Sequence, residues 1–303
     1  MAYKLEILPL NEKDSSKREK QIVENPKGYI VLVHGICHGA WCWENFINFF
    51  AAQGYQCYAV SLRGHGNSEG REDLNSFTLS DYVEDVKTVV DMCAAKPFLV
   101  GHSMGGAVVQ QYIGKYPDTV QGAVLFAPAT APRMTRWDVI PKNCKLLSAT
   151  LIAFGWKLVF SKEYLTECAA FFTGTDENGK RIPRVKNTSD YAKLLHSESK
   201  KVIGMHGDLT KAVYSENYSI DIPVFVIGSA ADQYFPPKSL KQTANAYAHK
   251  GKTALKILEH LCHDMMLDNN EPGAWKASAE PVLAFIEDPI RFVNDPENHW
   301  PRK

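Results

Sequence analysis

The sequence predicts an α/β fold, a doubly wound, mostly parallel sheet interrupted by a helical cap. Three observations carry that expectation. Short apolar, β-branched runs alternate with helical patterns in both halves of the chain, as parallel strands joined by crossover helices do. The alternation breaks once, between residues 130 and about 217, where helical patterns and paired aromatics occur without a convincing buried strand. Finally, Gly101-His102-Ser103-Met104-Gly105 lies between a strand-like run, 96–100, and a helix-like run, 106–113. These features divide the 303 residues into a core, 1–130, a helical cap or lid, 131–217, and a second part of the core, 218–303.

Residues 3–9 and 20–24 read as two strands around a charged turn, a hairpin at the sheet edge. After Pro26-Lys27-Gly28, residues 29–33 (Tyr-Ile-Val-Leu-Val) form a continuous β-branched run suited to a strand buried on both faces. Residues 43–53 are helical and stop at Gly54, and 55–60 are again strand-like. Residues 79–92 make a helix with Leu79, Val83, Val86 and Val90 on one face and Ser80 or Thr78 as its cap. Strands at 120–127, 222–228 and 253–258 complete the series. From Asp288 onward the chain is rich in Pro, Asn and charge and is expected to run over the surface.

Composition excludes some partners. With 34 basic and 34 acidic residues the formal net charge is zero, so nothing electrostatic recommends nucleic acid or an anionic membrane. Seven cysteines without a C-x-x-C pair favour reduced thiols and a cytoplasmic location over a disulfide framework. The N-terminal stretch is polar and carries no signal-peptide pattern. The most apolar window, 146–160, is interrupted by Ser148, Gly155 and Lys157 and is too short to span a bilayer.

Strand, Gly-x-Ser-x-Gly, helix is the layout of a nucleophile elbow, a tight turn that pushes a serine out of the sheet. The glycines suit it, because a Cβ would collide with neighbouring strand or helix. A serine hydroxyl attacks well only if a base removes its proton, and the base must be oriented by an acid. With this elbow the chain order is serine, acid, histidine, at the carboxyl ends of late strands. Asp232 follows the strand ending at Gly228, and its alternative reading is a loop aspartate capping a helix near Pro237. Asp221 precedes its strand, at the wrong end of the sheet, and Asp138 would put the acid at the start of the cap. His263 is the candidate base, anchored from below by Met265 and Leu267, with His260 as its rival. An oxyanion needs two preorganised N–H donors, and the amides of Met104 and of Ile36, after Gly35, are the candidates. His34 and His38 lack a Cys, Asp or Glu at ligand spacing and read as braces for that loop; no metal or cofactor is expected.

His34-Gly35, Arg63-Gly64-His65-Gly66-x-Ser68, Gly101 to Gly106, Asp232 and His263-Asp264 fall in the order and places of the α/β-hydrolase superfamily, which the chain resembles over all but the cap. The string from His34 to Trp43 is further similar to the branch holding plant-type methylesterases and hydroxynitrile lyases. Those lyases carry a lysine directly after the catalytic histidine, where this chain has Asp264, which lowers the lyase reading. Relatives with an aspartate nucleophile are disfavoured by Ser103.

The cap contributes Trp137, Phe154, Trp156, Phe160, Tyr164, Phe171 and Phe172. Most would form its own core, but some should roof an apolar pocket over Ser103, with Trp137, Phe154, Trp156, His102 and Phe235 as candidate substrate contacts. The resulting expectation is a serine esterase cleaving a small-to-medium apolar carboxylic ester, a small-molecule substrate. The alternatives are a lyase, perhydrolase or C–C hydrolase on the same residues, or a receptor-like ligand-binding protein on the same scaffold.

Overall fold

The computed structural model describes residues 3–129, 169–203, 207–210, 220–248 and 252–300. The β-branched runs form the strands Gly28–Val33 (β2), Tyr55–Ser61 (β3), Phe98–His102 (β4) and Gly122–Phe126 (β5). Glu6–Leu8 is β1, and the late strands are Val224–Ser229 (β8), Thr253–Leu258 (β9) and His299–Trp300 (β10). They join in one eight-stranded sheet in the order β1-β3-β2-β4-β5-β8-β9-β10. The six strands from β3 to β9 in this order are parallel; β1 and β10 are antiparallel edges. Helices cover both faces, as continuous apolar strands require, and buried side chains form one core on each side of the sheet.

Strand order places the site. The chain leaves β2 for β3 on one side and returns to β4 on the other, so β2 and β4 are neighbours paired Val33↔Gly101. The loops after Val33 and after His102 therefore leave the sheet side by side, at the kind of switch point where doubly wound sheets bind ligands. On the other side Ser229 pairs with Leu258, so the loops carrying Asp232 and His263 also emerge together.

The helix Leu79–Asp91 starts with Thr78, whose hydroxyl accepts from the Asp81 amide while Asp81 returns a bond to the Thr78 amide, so Thr78 rather than Ser80 is the cap. Two expectations are corrected. Residues 20–24 do not pair with the first strand: Ser15–Gln21 is a helix, capped by Asp14, and β1 pairs instead with β3. The stretch Ser-Ser-Lys-Arg-Glu-Lys-Gln suits a solvated helix, and Ile22-Val23 is too short to compete. Residues 131–217 are not purely helical, since Thr173–Thr175 (β6) and Arg181–Pro183 (β7), among the described ones, form an antiparallel ribbon. Asp176 and Gly179 close its turn, and three residues per strand leave no alternation to read. The last stretch runs over the surface in most of its residues, as expected, and is structured there: Pro289–Asn294 is a helix that buries Phe292 and Val293, followed by β10. Among the described residues no helix is long and apolar enough to cross a membrane.

Candidate active site

Ser103 joins β4 to the helix Met104–Lys115 at φ 54° and ψ −117°, a backbone conformation that costs a non-glycine residue about 1–3 kcal/mol. Close packing holds it there. A Cβ on Gly101 would stand 2.3 Å from the Gly105 carbonyl oxygen, and one on Gly105 would stand 2.4 Å from that of Val33. The Ser103 amide donates to the Phe126 carbonyl at 3.0 Å, and its own carbonyl accepts from Gly106 and Ala129, each at 2.9 Å. The Met104 amide, at the first position of the helix, has no acceptor among the described residues.

Beside it runs the loop after β2. A Cβ on Gly35 would lie 3.0 Å from the Ser103 Cβ, so only glycine allows this approach. His34 Nε2 accepts from the Leu62 amide at 3.0 Å, which leaves the proton on Nδ1 to be donated to the Gly35 carbonyl at 2.7 Å. Burial foremost, then the neighbouring His65, holds the His34 pKa well below the ordinary imidazole range, so the ring is neutral. The Gly35 carbonyl belongs to the same trans peptide as the Ile36 N–H, so fixing the oxygen fixes the direction of the amide. The Ile36 amide too is without an acceptor among the described residues. Cys37, at φ 64°, turns the corner.

At the late strands, Asp232 Oδ1 accepts from the amides of Tyr234 (2.7 Å) and Phe235 (3.1 Å), which orients its Oδ2 to accept from His263 Nδ1 at 2.8 Å. A carboxylate only accepts, so His263 Nδ1 carries a proton and donates it. Nε2 is buried and makes no hydrogen bond, to Ser103 Oγ or to any other described group. The structure thus joins Asp232 to His263 and leaves Ser103 Oγ unjoined, an arrangement common before substrate binds. Around the His263 ring stand His102 (centroids 4.6 Å apart), Tyr234 (4.9 Å), Phe235 (5.5 Å) and Phe171 (5.9 Å). His260 turns away, its Nδ1 3.0 Å from the Thr175 hydroxyl, and Asp221 is exposed and paired with Lys252. His102 is wholly buried behind His263, donating from Nε2 to the His263 carbonyl at 3.2 Å; burial and its histidine neighbours keep it neutral. Trp137, Asp138, Phe154, Trp156, Phe160 and Tyr164 lie outside the described residues.

Two buried acids were not among the expected site residues. Asp264 accepts from His38 Nε2 at 3.0 Å and lies 3.5 Å from His102 Nε2. His38 therefore has the carboxylate its local sequence lacks, from a residue 226 positions away. His102, His263 and Asp264 each place a donor within 4.8 Å of the others and are the described residues able to hold an ion. Within this group His102 Nε2 donates to the His263 carbonyl, while His102 Nδ1, His263 Nε2 and Asp264 Oδ1 have no hydrogen-bond partner among the described residues.

Glu198 is the second. It accepts from His65 Nε2 (3.0 Å), the Tyr82 hydroxyl (2.8 Å), the Ser199 amide (2.8 Å) and the Cys37 amide (3.4 Å). Burial opposes its charge, but His65 and the surrounding donors prevail and hold its carboxyl below the ordinary value. The His196 amide donates to the Cys37 carbonyl at 2.8 Å, so residues 196–198 grip the corner of the Gly35 loop on both sides. Neither acid had a local signal, since each finds its histidine partner across more than a hundred residues.

Known proteins share this architecture. An esterase from Exiguobacterium antarcticum superimposes with a TM-score of 0.67 over 95% of this chain and 97% of that one, at 15% identity, a likeness of fold alone. In sequence, 113 residues are 36% identical to methyl jasmonate esterase 1 of Vitis vinifera, covering 36% of this chain and 42% of that protein. A monoacylglycerol lipase of Mycolicibacterium smegmatis is 36% identical over 110 residues, 35% of this chain and 39% of that protein. The chain thus aligns with about two fifths of the length of these curated relatives. The Hydrolase_4 family model, described as serine aminopeptidase, S33, matches residues 24–270. With most of its length inside that match and an eight-stranded mixed sheet of the corresponding topology, the chain belongs to this family of α/β-hydrolases.

Proposed function

We propose that the chain is a serine hydrolase of carboxylic esters, acting on a small-to-medium apolar substrate. The observation that carries this reading is the buried Asp232–His263 hydrogen bond, with Nε2 left unpartnered among the described residues, in the same site as a serine held at positive φ. In the proposed reaction Ser103 Oγ attacks the ester carbonyl while His263 Nε2 takes its proton. The Ile36 and Met104 amides, both without acceptors among the described residues, bind the oxygen that becomes negative. Collapse of the tetrahedral intermediate expels the alcohol, which receives the proton from His263. Water then attacks the acyl-enzyme with His263 again as base, releasing the acid and restoring Ser103. Asp232 keeps the ring in its Nδ1–H tautomer and stabilises the imidazolium formed in each step.

The aromatic walls at Phe171, Tyr234 and Phe235 support an apolar group on the substrate. The relatives named as esterase and lipase support ester over amide chemistry. The thiols of Cys42, Cys57, Cys93 and Cys262 are in no disulfide among the described residues, which supports a reducing, cytoplasmic setting. As for the cap, residues 131–217 are read as the lid between the two parts of the core.

The test is turnover of p-nitrophenyl esters from acetate to palmitate, beside an amino-acid p-nitroanilide, for the wild type and Ser103→Ala. Ester turnover reduced in the variant by roughly 10⁴- to 10⁶-fold, with the fold retained, supports the mechanism. Turnover surviving the substitution overturns it, and faster cleavage of the anilide moves the assignment to a peptidase.

A further inference from the structure

His38 is buried between two acceptors. Its Nδ1 lies 2.6 Å from the Ile36 carbonyl oxygen and its Nε2 lies 3.0 Å from Asp264 Oδ2. A carbonyl and a carboxylate only accept, so both contacts are complete only when both ring nitrogens carry protons. The ring stacks on Trp41, with centroids 5.2 Å apart, and meets the edges of Phe171 and His102, so it has little freedom to reorient.

We propose that His38 and Asp264 form a buried imidazolium–carboxylate pair that positions the oxyanion loop against the base loop, and that turnover falls at alkaline pH when the pair loses its proton. The kinetic half of this rests on the ester-hydrolase reading. Asp264 directly follows His263, and Ile36 carries the proposed oxyanion donor, so the pair ties both halves of the site together. A neutral His38 has one proton for two acceptors. The charged carboxylate forms the stronger bond, and the Ile36 carbonyl is released. That carbonyl belongs to the corner at Cys37, where the backbone is already at φ 64°.

The surroundings agree with a charged ring. Burial disfavours it, yet the charge and hydrogen bond of Asp264, the Ile36 carbonyl and the more distant Glu198 outweigh burial and raise the His38 pKa above its ordinary value. The other titratable groups facing the pair are His34 and His102, both held neutral chiefly by burial, His196, whose pKa is lowered to about 4, and the buried Cys42 and Cys262 thiols, which burial foremost and nearby acids including Asp264 push up. His263, bound to Asp232, adjoins the pair through His102.

A serine hydrolase whose only titrating group is its base reaches a plateau once that base is neutral, so an alkaline limb is the distinguishing sign. The experiment is the pH profile of kcat/KM for the wild type and Asp264→Asn, together with the ring ¹⁵N spectrum of the wild type. The wild type should show an alkaline limb. In Asp264→Asn that limb should move by more than about one pH unit toward acid, with kcat lower by about 10- to 100-fold and KM nearly unchanged, since a mispositioned oxyanion donor affects the transition state. A wild-type plateau, or a limb unmoved in the variant, overturns the proposal. If Asp264→Asn does not fold, the spectrum decides. His38, assigned through its contacts with the Trp41 and Phe171 rings, should carry protons on both nitrogens at neutral pH, and a neutral ring overturns the pair. A chain that turns over no ester but shows the doubly protonated ring would overturn the hydrolase reading and support the pair.

Discussion

Asp232 separates two roles that one side chain can serve. Oδ1 holds its own loop through the Tyr234 and Phe235 amides, while Oδ2 receives His263. Asp232→Asn keeps an oxygen for the loop but presents the wrong hydrogen-bonding group to Nδ1, so kcat should fall about 10⁴-fold while thermal unfolding barely moves. Steady-state kinetics with differential scanning calorimetry check this, and a parallel loss of Tm would show that the residue serves the fold alone. Gly105→Ala should act the other way. Its Cβ would meet the backbone oxygens of Val33 at 2.4 Å and His34 at 2.5 Å, and backbone cannot give way as a side chain can. A loss of about 2–4 kcal/mol is expected in urea unfolding. At this scale the sequence is most readable where the chemistry is contiguous. The elbow at Ser103 can be read because strand, turn and helix occupy adjacent residues. The same reading misses Asp264 as the partner of His38, because a contact across 226 positions leaves no trace in local spacing.

Among the elements, the short segment around Glu198 makes contacts that composition did not foretell. It has no long helix or strand of its own, and it is placed by polar contacts with three parts of the core: the His65 turn, Tyr82 on the helix Leu79–Asp91, and the corner at Cys37. Removing the carboxylate in Glu198→Ala would leave buried donors at His65 and Tyr82 without a partner. The cost should be about 3–5 kcal/mol, as for other broken buried charge networks, and Glu198→Gln should cost less because it still accepts from Tyr82. Urea unfolding of both variants measures the difference, and equal losses would mean that packing rather than hydrogen bonding sets the cost. Strands such as Gly28–Val33 were legible because burial on both faces demands an unbroken apolar run. The ribbon Thr173–Thr175 with Arg181–Pro183 was not, because its stability comes from contacts beyond itself. A Cβ on Gly174 would stand 2.1 Å from the His260 carbonyl, so the ribbon lies directly against the loop that carries His263.

For the molecule as a whole, the buried histidines give stability a direction in pH. His34 and His102 are held neutral in the fold, chiefly by burial, while in the unfolded chain they take up protons near pH 6.5. Their folded pKa values lie below the unfolded ones, so stability falls as pH drops below about 6.5. Each ring contributes up to about 1.4 kcal/mol per pH unit. His196 adds to the same trend down to its folded value of about 4, where burial and the Arg71 guanidinium keep it neutral. Its Nδ1 accepts from Arg71 Nη1 at 2.8 Å, so protonation also breaks a tie between segments 125 residues apart in the chain. His38 has the opposite sign. With its pKa raised, the ring is charged in both states below pH 6.5 and adds no slope there, and its contribution is lost as pH rises through the folded value. Glu198, held below its ordinary value, loses its contribution only at still lower pH, below about 4.5. Urea midpoints measured from pH 8 to pH 4 should therefore decline steadily below about 6.5. His196→Asn, which retains an acceptor for Arg71, should flatten part of that decline without changing the midpoint at pH 8. A midpoint independent of pH between 6.5 and 4 would mean that the three rings are accessible to protons in the folded protein, and would remove the basis for a neutral, oriented His34 beside the Gly35 peptide.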